Sequence, residues 1–173
     1  WLVGAPNEGL RCMFTMMNSA RLMVGLQGLG IAEAAYQISL GFARERLQSR
    51  SLSGPKAADK PADPITVHPH VRRNLLRQKV MIEGGRALAY FTGVQVDVAH
   101  GHADAAVRQQ ADDLVQLLTP VVNAFLTDEG SNCANDGLQV MGGSGSTQDW
   151  GVEQLVRDVR IRRIYEGTNG IQA

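Results

Sequence analysis

The chain has 173 residues, enough for one domain with a substantial core, and 17 Lys+Arg balance 17 Asp+Glu to a net charge of zero. That balance argues against a general nucleic-acid binder or a polybasic membrane-surface protein, and 5% aromatic content weakens any case for a base-stacking platform. Cys12 and Cys133 have neither metal-type nor disulfide-framework spacing, no segment is long and apolar enough to span a membrane, and a cytoplasmic setting is expected.

Trp1-Leu2-Val3-Gly4 is not a signal peptide, and residues 1–8, with Gly4 and Pro6, read as an entry turn. The chain starts without Met and stops at Ala173 just after a segment that looks like a helix beginning. Both ends read as cut, so a fragment of a longer polypeptide is expected.

From about Leu10 to Gln48 there is no Pro, and Met13, Met17, Ala20, Val24, Gly28, Ile31, Ala35, Ile38 and Phe42 recur at helical spacing. Gly25, Gly28, Ala32 and Ala35 thin one side of this stripe, which permits close approach of another helix. Gly28-Leu29-Gly30 is no dinucleotide fingerprint, because no strand precedes it and the third Gly is missing. Ser51 to Val67, with Pro55, Pro61, Pro64 and Gly54, reads as an exposed loop. Pro69 then suits the first turn of a second helix with an apolar stripe of Leu76, Val80, Ala87, Phe91 and Val94, ending near His100 and Gly101.

A third helix is predicted from Asp104, with Val107, Ala111, Leu114 and Leu118 on one face. Thr119 before Pro120 predicts a break or kink, Thr119 being able to cap and Pro120 to start a new turn, with a fourth helix continuing to about Met141. Gly130 and the polar run Asp128 to Asp136 weaken its helical character. Gly142 to Ser146 reads as a flexible turn, followed by a short helix around Val152 to Arg160. With no strand pairing and no repeat, the expected fold is all-α, an up-and-down bundle of about four long helices.

Glu166 sits where an Arg-rich helical run gives way to Gly167, flanked by Ile161, Ile164 and Ile171. A carboxyl group among apolar side chains loses hydration, which raises its pKa toward a general-base value, and Gly167 lets the backbone turn and approach a ligand. The spacing alone favours a plainer arrangement, with Gly167 as a helix C-cap and Glu166 solvated. His68/His70 and His100/His102 lack nearby carboxylates, so no metal is expected.

Tyr-Glu-Gly-Thr-Asn-Gly-Ile-Gln at 165–172, preceded by Arg-Asp-x-Arg-Ile, resembles the catalytic signature of acyl-CoA dehydrogenases. Ser-Ala-Arg-Leu-x-Val-Gly-x-Gln-Gly-Leu-Gly at 19–30, Ala-Arg-Glu-Arg-Leu-Gln at 43–48 and Gln-Val-Met-Gly-Gly-Ser-Gly at 139–145 follow in family order. The resemblance covers nearly the whole chain. Residues 1–8 resemble the hinge after the family's β-domain, and 9–173 its C-terminal helical domain with the last helix truncated. Pro-Ala-Asp-Pro-Ile at 61–65 and His-Pro-x-Val-Arg-Arg at 68–73 resemble the branch that includes methylmercaptopropionyl-CoA dehydrogenases.

The resemblance implies α,β-dehydrogenation of an acyl-CoA thioester to a trans-2-enoyl-CoA, with Glu166 as the base and hydride transfer to FAD. It implies substrate-binding roles for Asn18 (often Asp in relatives), Arg21, Tyr165 and Gly167. Ala20 stands where some relatives carry their catalytic Glu, which leaves Glu166 as the family-supported base. Arg46 and Gln48 match positions that reach the FAD diphosphate, usually from the partner subunit; a guanidinium suits phosphate oxygens. Gln139, Gly142 and Gly143 match the patch that approaches the ADP half of FAD, and Thr168 a FAD-contacting hydroxyl. Read without the family, Arg21 is a solvated helix residue, Arg44, Arg46 and Arg50 are exposed helix-end charges, and Gly142 is a C-cap. Ser49 and Ser146 replace aromatic residues usual in relatives, and Gly170 stands where some members carry a side chain that helps hold the cofactor.

The implied partners are the acyl-CoA substrate, an electron-transfer flavoprotein and further copies in a homodimer or homotetramer, with no nucleic acid or membrane. The fragment alone is expected to be inactive and free of flavin. Two other readings are a flavin-containing, DNA-binding alkylation-response relative, against which the neutral charge counts, and an oligomerisation core only.

Overall fold

A computed structural model of the chain describes residues 2–165 and 167–172, the side chain of Gln172 excepted. Five α-helices follow in order: α1 (Gly9–Glu45), α2 (Pro69–Gly101), α3 (Ala105–Met141), α4 (Val152–Arg162) and the short α5 (Asn169–Gln172). Three 3-10 turns, Ile65–Val67, Gly142–Ser146 and Gln148–Trp150, lie between them. The described residues form no strand beyond one isolated bridge between Leu47 and Pro64. The fold is the expected all-α bundle. No helix among the described residues is long and apolar enough to cross a membrane.

The three long helices pack side by side. Gly25 meets Val122, Gly28 meets Leu126 and Ala35 meets Gly137, so α1 and α3 run parallel. Ser39 lies against Gln78 and Glu33 against Arg86, so α2 runs antiparallel to α1. Leu29, Ile82, Val122 and Leu126 form the centre of the core. α4 returns along the groove between α1 and α3, burying Val152 and Val159 against Ala35, Ala134 and Met141.

The small-residue side of α1 does what its composition predicts. A Cβ built on Gly28 would lie 2.6 Å from the Leu126 carbonyl oxygen, and one on Gly130 would lie 2.6 Å from the Gly28 carbonyl oxygen. Gly130 therefore does not interrupt α3; it is where α1 and α3 come closest. The helical propensity forgone there is repaid in close packing.

Two sequence expectations are corrected. Pro120 lies inside α3, so the predicted third and fourth helices are one, and Val152–Arg162 supplies the bundle's fourth. An internal proline costs about 3 kcal/mol in an isolated helix. Here Val122 and Leu126, just beyond it, are buried in the core, and the Thr119 hydroxyl donates to the Val115 carbonyl at 2.7 Å. Gln116, whose carbonyl loses its helical donor, is solvent-exposed, which lowers the cost.

The second correction concerns α2. Its predicted stripe of Leu76, Val80, Ala87, Phe91 and Val94 points outward, while Asn74, Leu75, Gln78, Ile82, Gly85, Ala89 and Thr92 are buried. That inner face mixes Leu75 and Ile82, which join the core, with small and polar side chains. The buried polar groups are satisfied within the helix: Thr92 Oγ1 donates to Leu88 O at 2.9 Å and Gln78 Nε2 to Asn74 O at 3.3 Å.

The loop between α1 and α2 is ordered around one carboxylate. Asp63 is fully buried and accepts from the backbone N–H of Ser51 (2.9 Å), Lys56 (2.9 Å) and Ala57 (2.7 Å), and from Arg50 Nη1 at 3.3 Å. The Ser51 N–H, above all, holds its pKa down to about 2, with the Ala57 and Lys56 N–H groups and Arg50 adding to this against the opposing effect of burial. The turn Gly142–Ser146 is 3-10 helix rather than loose chain, and Gly145 packs against Leu138.

Candidate active site

The signature segment leaves the end of α4 and lies against the middle of α3 and α1. Tyr165 donates its hydroxyl to Gln27 Oε1 on α1 at 3.2 Å, and the Arg162 guanidinium lies 5.8 Å from the centre of its ring. Arg163 pairs with Asp128 on α3. Gly167 has φ +97°, a conformation an L side chain resists, and is the sharp turn its position predicts. Asn169 Nδ2 lies 2.9 Å from Thr127 Oγ1 and 3.0 Å from Asp128 Oδ1, with Ala124 O farther away at 3.4 Å. Glu166 lies outside the described residues. Tyr165 before it and Asn169 beyond it are tied to α1 and α3.

Ile171, at the far end of this segment, lines a cavity of about 610 Å³ together with Asn18, Arg21, His100, Gln116 and Pro120. The structure thus brings Asn18 and Arg21, both predicted for substrate, to the same opening as the signature. Arg21 is half-buried beneath Phe14, its guanidinium 5.9 Å from the ring centre. Its Nε is buried with no hydrogen-bond partner among the described residues. Asn123 on α3 donates to the Arg21 carbonyl at 3.0 Å and fixes that turn of α1.

The residues predicted for FAD fall into two places. Arg46, Gln48, Gln139, Gly142 and Gly143 are all exposed at one end of the bundle, above the cluster of Ala43, Ile65, Leu75 and Val140. Gly142 adopts φ +58° as the C-cap of α3, and a Cβ at Gly142 or Gly143 would meet open space. Thr168 is instead with Tyr165 and Gly167. Arg21 and Arg46 are 25 positions apart along α1 and its C-cap, about 37 Å at 1.5 Å per residue. They cannot serve one reacting centre within a single copy.

Residues 7–173 match the acyl-CoA dehydrogenase C-terminal domain family. The chain belongs to the acyl-CoA dehydrogenase family. It is 49% identical, along its full length, to a 3-methylmercaptopropionyl-CoA dehydrogenase of Ruegeria pomeroyi, of which it spans 29%. It is 37% identical to a broad-specificity linear acyl-CoA dehydrogenase of Mycobacterium tuberculosis, of which it spans 28%. The chain therefore covers less than a third of the length of these relatives. Its fold matches butyryl-CoA dehydrogenase of Megasphaera elsdenii with a TM-score of 0.76 over 98% of this chain and 38% of that one, at 24% identity.

Within this acyl-CoA dehydrogenase domain, sequence reasoning missed the residues that hold the signature in place: Asn169, Thr127, Asp128 and Gln27. An Asn at a helix start suggests a local cap, whereas its amide is used on another helix. The polar run Asp128 to Asp136 was the available signal. Asp128 holds the signature, while Glu129 and Asp136 pair with Arg77 of α2. Burial pushes Asp136 upward despite Arg77, and burial, ahead of Glu129 and Asp136, pushes the Cys133 thiol up to about 12. Cys133 is a packing residue. Among the described residues no three His, Cys, Asp or Glu side chains converge as metal ligands; His68 Nε2 bonds the Gln48 carbonyl oxygen at 2.8 Å.

Proposed function

We propose that the protein carrying this domain is an FAD-dependent acyl-CoA dehydrogenase that converts an acyl-CoA thioester to the trans-2-enoyl-CoA. The observation that carries this reading is the docking of the signature segment on α3 through Asn169 beside the cavity that holds Asn18 and Arg21. Arg21, in the cavity lining, offers its guanidinium to an acceptor of the substrate, and Asn18 a neutral amide. Tyr165 and Gly167 frame Glu166, which takes the α-proton. The Glu166 backbone N–H polarises the thioester carbonyl as charge builds on its oxygen.

The exposed guanidinium of Arg46, the amides of Gln48 and Gln139 and the open backbone at Gly142 and Gly143 form a donor set that fits the diphosphate and ADP half of FAD. Bound FAD supplies the acceptor for the β-hydride. The separation of Arg46 from Arg21 supports a reading in which the first set serves the site of another copy, with Thr168 serving its own. An electron-transfer flavoprotein is the proposed electron acceptor.

The test is Glu166→Gln in the full-length protein. The variant keeps FAD, and acyl-CoA still perturbs the flavin spectrum, but flavin reduction slows by about a hundred- to ten-thousand-fold. Near-normal reduction sinks the assignment, since Ala20 offers no carboxylate on α1. Loss of both FAD and substrate binding makes Glu166 structural.

A further inference from the structure

The loop before α2 carries a cavity that the function proposed above does not use. Asp63 holds the loop's backbone at Ser51, Lys56 and Ala57 and occupies Arg50 as well, so the side chains that leave this loop start from fixed positions. Between the loop and the first turn of α2 lies a cavity of about 500 Å³, within the size range of small-molecule sites. None of its lining residues is among those assigned to substrate or to FAD.

The lining is cationic. Lys56 and Arg72 both contribute to it, and no Asp or Glu does. Neither cation forms an ion pair with another described residue. Asp63 cannot neutralise them, because it is fully buried and already accepts from four donors. Two like charges that share one cavity without a counter-charge repel each other, and an anion between them removes that cost. Hydroxyl groups extend the donor set. Ser51 and Ser53 share one hydrogen bond at 3.1 Å, which leaves one of their two protons to give, and Thr66 lines the cavity beside them. These donors are side chains; the helix end adds little, since Pro69 at the first position of α2 has no N–H.

The donor set distinguishes among anions. A carboxylate brings two oxygens and one charge. A phosphomonoester brings three acceptor oxygens and nearly two charges, which matches two cations and the spare hydroxyl protons, and the Arg72 fork suits its geometry. The cavity also has more room than a bare phosphate fills. Leu52, 92% exposed, borders it with Val67 and Pro69 and supplies an apolar wall.

We infer that this cavity binds the phosphomonoester group of a small organic molecule, with Arg72 and Lys56 on the phosphate and Leu52 against the apolar body. The site is separate from the dehydrogenase chemistry and does not depend on it.

The test is calorimetric titration of the full-length protein, as purified with its flavin, using phenyl phosphate as the probe. Saturable binding with a dissociation constant of about 0.1–1 mM is expected, with phenol giving none. Arg72→Ala and Lys56→Ala should each weaken it roughly tenfold, and Arg72→Lys should fall between Arg72→Ala and the parent, because it keeps the charge and loses the fork. Leu52→Ala should weaken phenyl phosphate and leave inorganic phosphate unchanged. Lys79→Ala, an exposed cation on α2 outside the cavity, should change nothing. Flavin content and melting temperature should stay constant across the series, which separates loss of the site from loss of the fold. No saturation by about 10 mM, equal affinity for inorganic and phenyl phosphate, or equal effects of Lys79→Ala and Lys56→Ala overturns the inference. A protein that fails these tests and still reduces its flavin loses this site and keeps the dehydrogenase reading.

Discussion

Asn169 donates to Thr127 Oγ1 at 2.9 Å, tying the chain just beyond the catalytic signature to the middle of α3. Thr127 is itself buried and spends its own proton on the Asn123 carbonyl at 2.8 Å. Its oxygen is thus oriented as an acceptor, and the same asparagine amide also reaches Asp128. Asn169→Ala should lower the rate of flavin reduction by roughly a hundredfold, the scale set by small misplacements of a reacting group. The loss in stability should be modest, about 1 kcal/mol per hydrogen bond. Asn169→Asp, which sets a second carboxylate against Asp128, should fall further than Ala. Stopped-flow reduction beside thermal melts checks the split; a large drop in melting temperature with an unchanged rate would contradict it.

The distance between Arg21 and Arg46 predicts shared sites. Two inactive variants, Arg46→Ala and Glu166→Gln, should recover activity when mixed as subunits after dissociation and reassembly. In a mixed dimer one site then holds both lesions and the other neither, so about half of the normal activity per mixed dimer returns, because each site draws on two copies. No recovery in demonstrably mixed dimers would place both residues in one site.

The crossing of α1 and α3 predicts opposite signs for the same substitution two residues apart. Gly28→Ala forces a methyl group against the Leu126 carbonyl and the Thr127 Cα, both backbone atoms. It should destabilise the bundle by about 1–3 kcal/mol, outweighing the helical gain of alanine. Gly30 is exposed with nothing within 4 Å, and Gly30→Ala should stabilise by about 0.5–1 kcal/mol. Urea denaturation of the two variants decides this directly.

Asp63 predicts a pH dependence for the loop before α2. Its folded pKa, about 2, lies below its ordinary value of 3.8, so the carboxylate contributes stability above pH 3.8. That contribution is lost as pH falls from 3.8 through about 2. Asp63→Asn should therefore loosen the 49–63 loop at neutral pH and make less difference as the pH approaches 2. Hydrogen exchange at the amides of Ser51, Lys56 and Ala57 reports it; equal protection in both proteins at pH 7 would overturn it.

Much of this domain was legible from residues alone. The start of α2 at Pro69, the start of α3 near Asp104, the stop at Met141 and the small-residue face of α1 all follow from local rules: proline geometry, helical spacing and the absence of Cβ atoms. The motifs named the family, and Asn18 and Arg21 line one cavity with Ile171 of the signature segment. Such features need only a few neighbouring residues to be decided.

Tertiary structure decided the rest. Pro120 reads as a break or kink because an isolated helix loses a hydrogen bond there; α3 nevertheless continues through it between two neighbouring helices, and no local rule contains their packing energy. The apolar stripe of α2 points outward because the opposite face, with Leu75 and Ile82 among small and hydrogen-bonded side chains, is the one packed into the bundle core. Asn169 finds Thr127 across 42 residues of sequence, a partnership set by the path of α4 along the groove. Composition and spacing determined which elements exist and which chemistry they can carry. Which face of each is buried, and which polar group meets which, was determined by how close three helices could come.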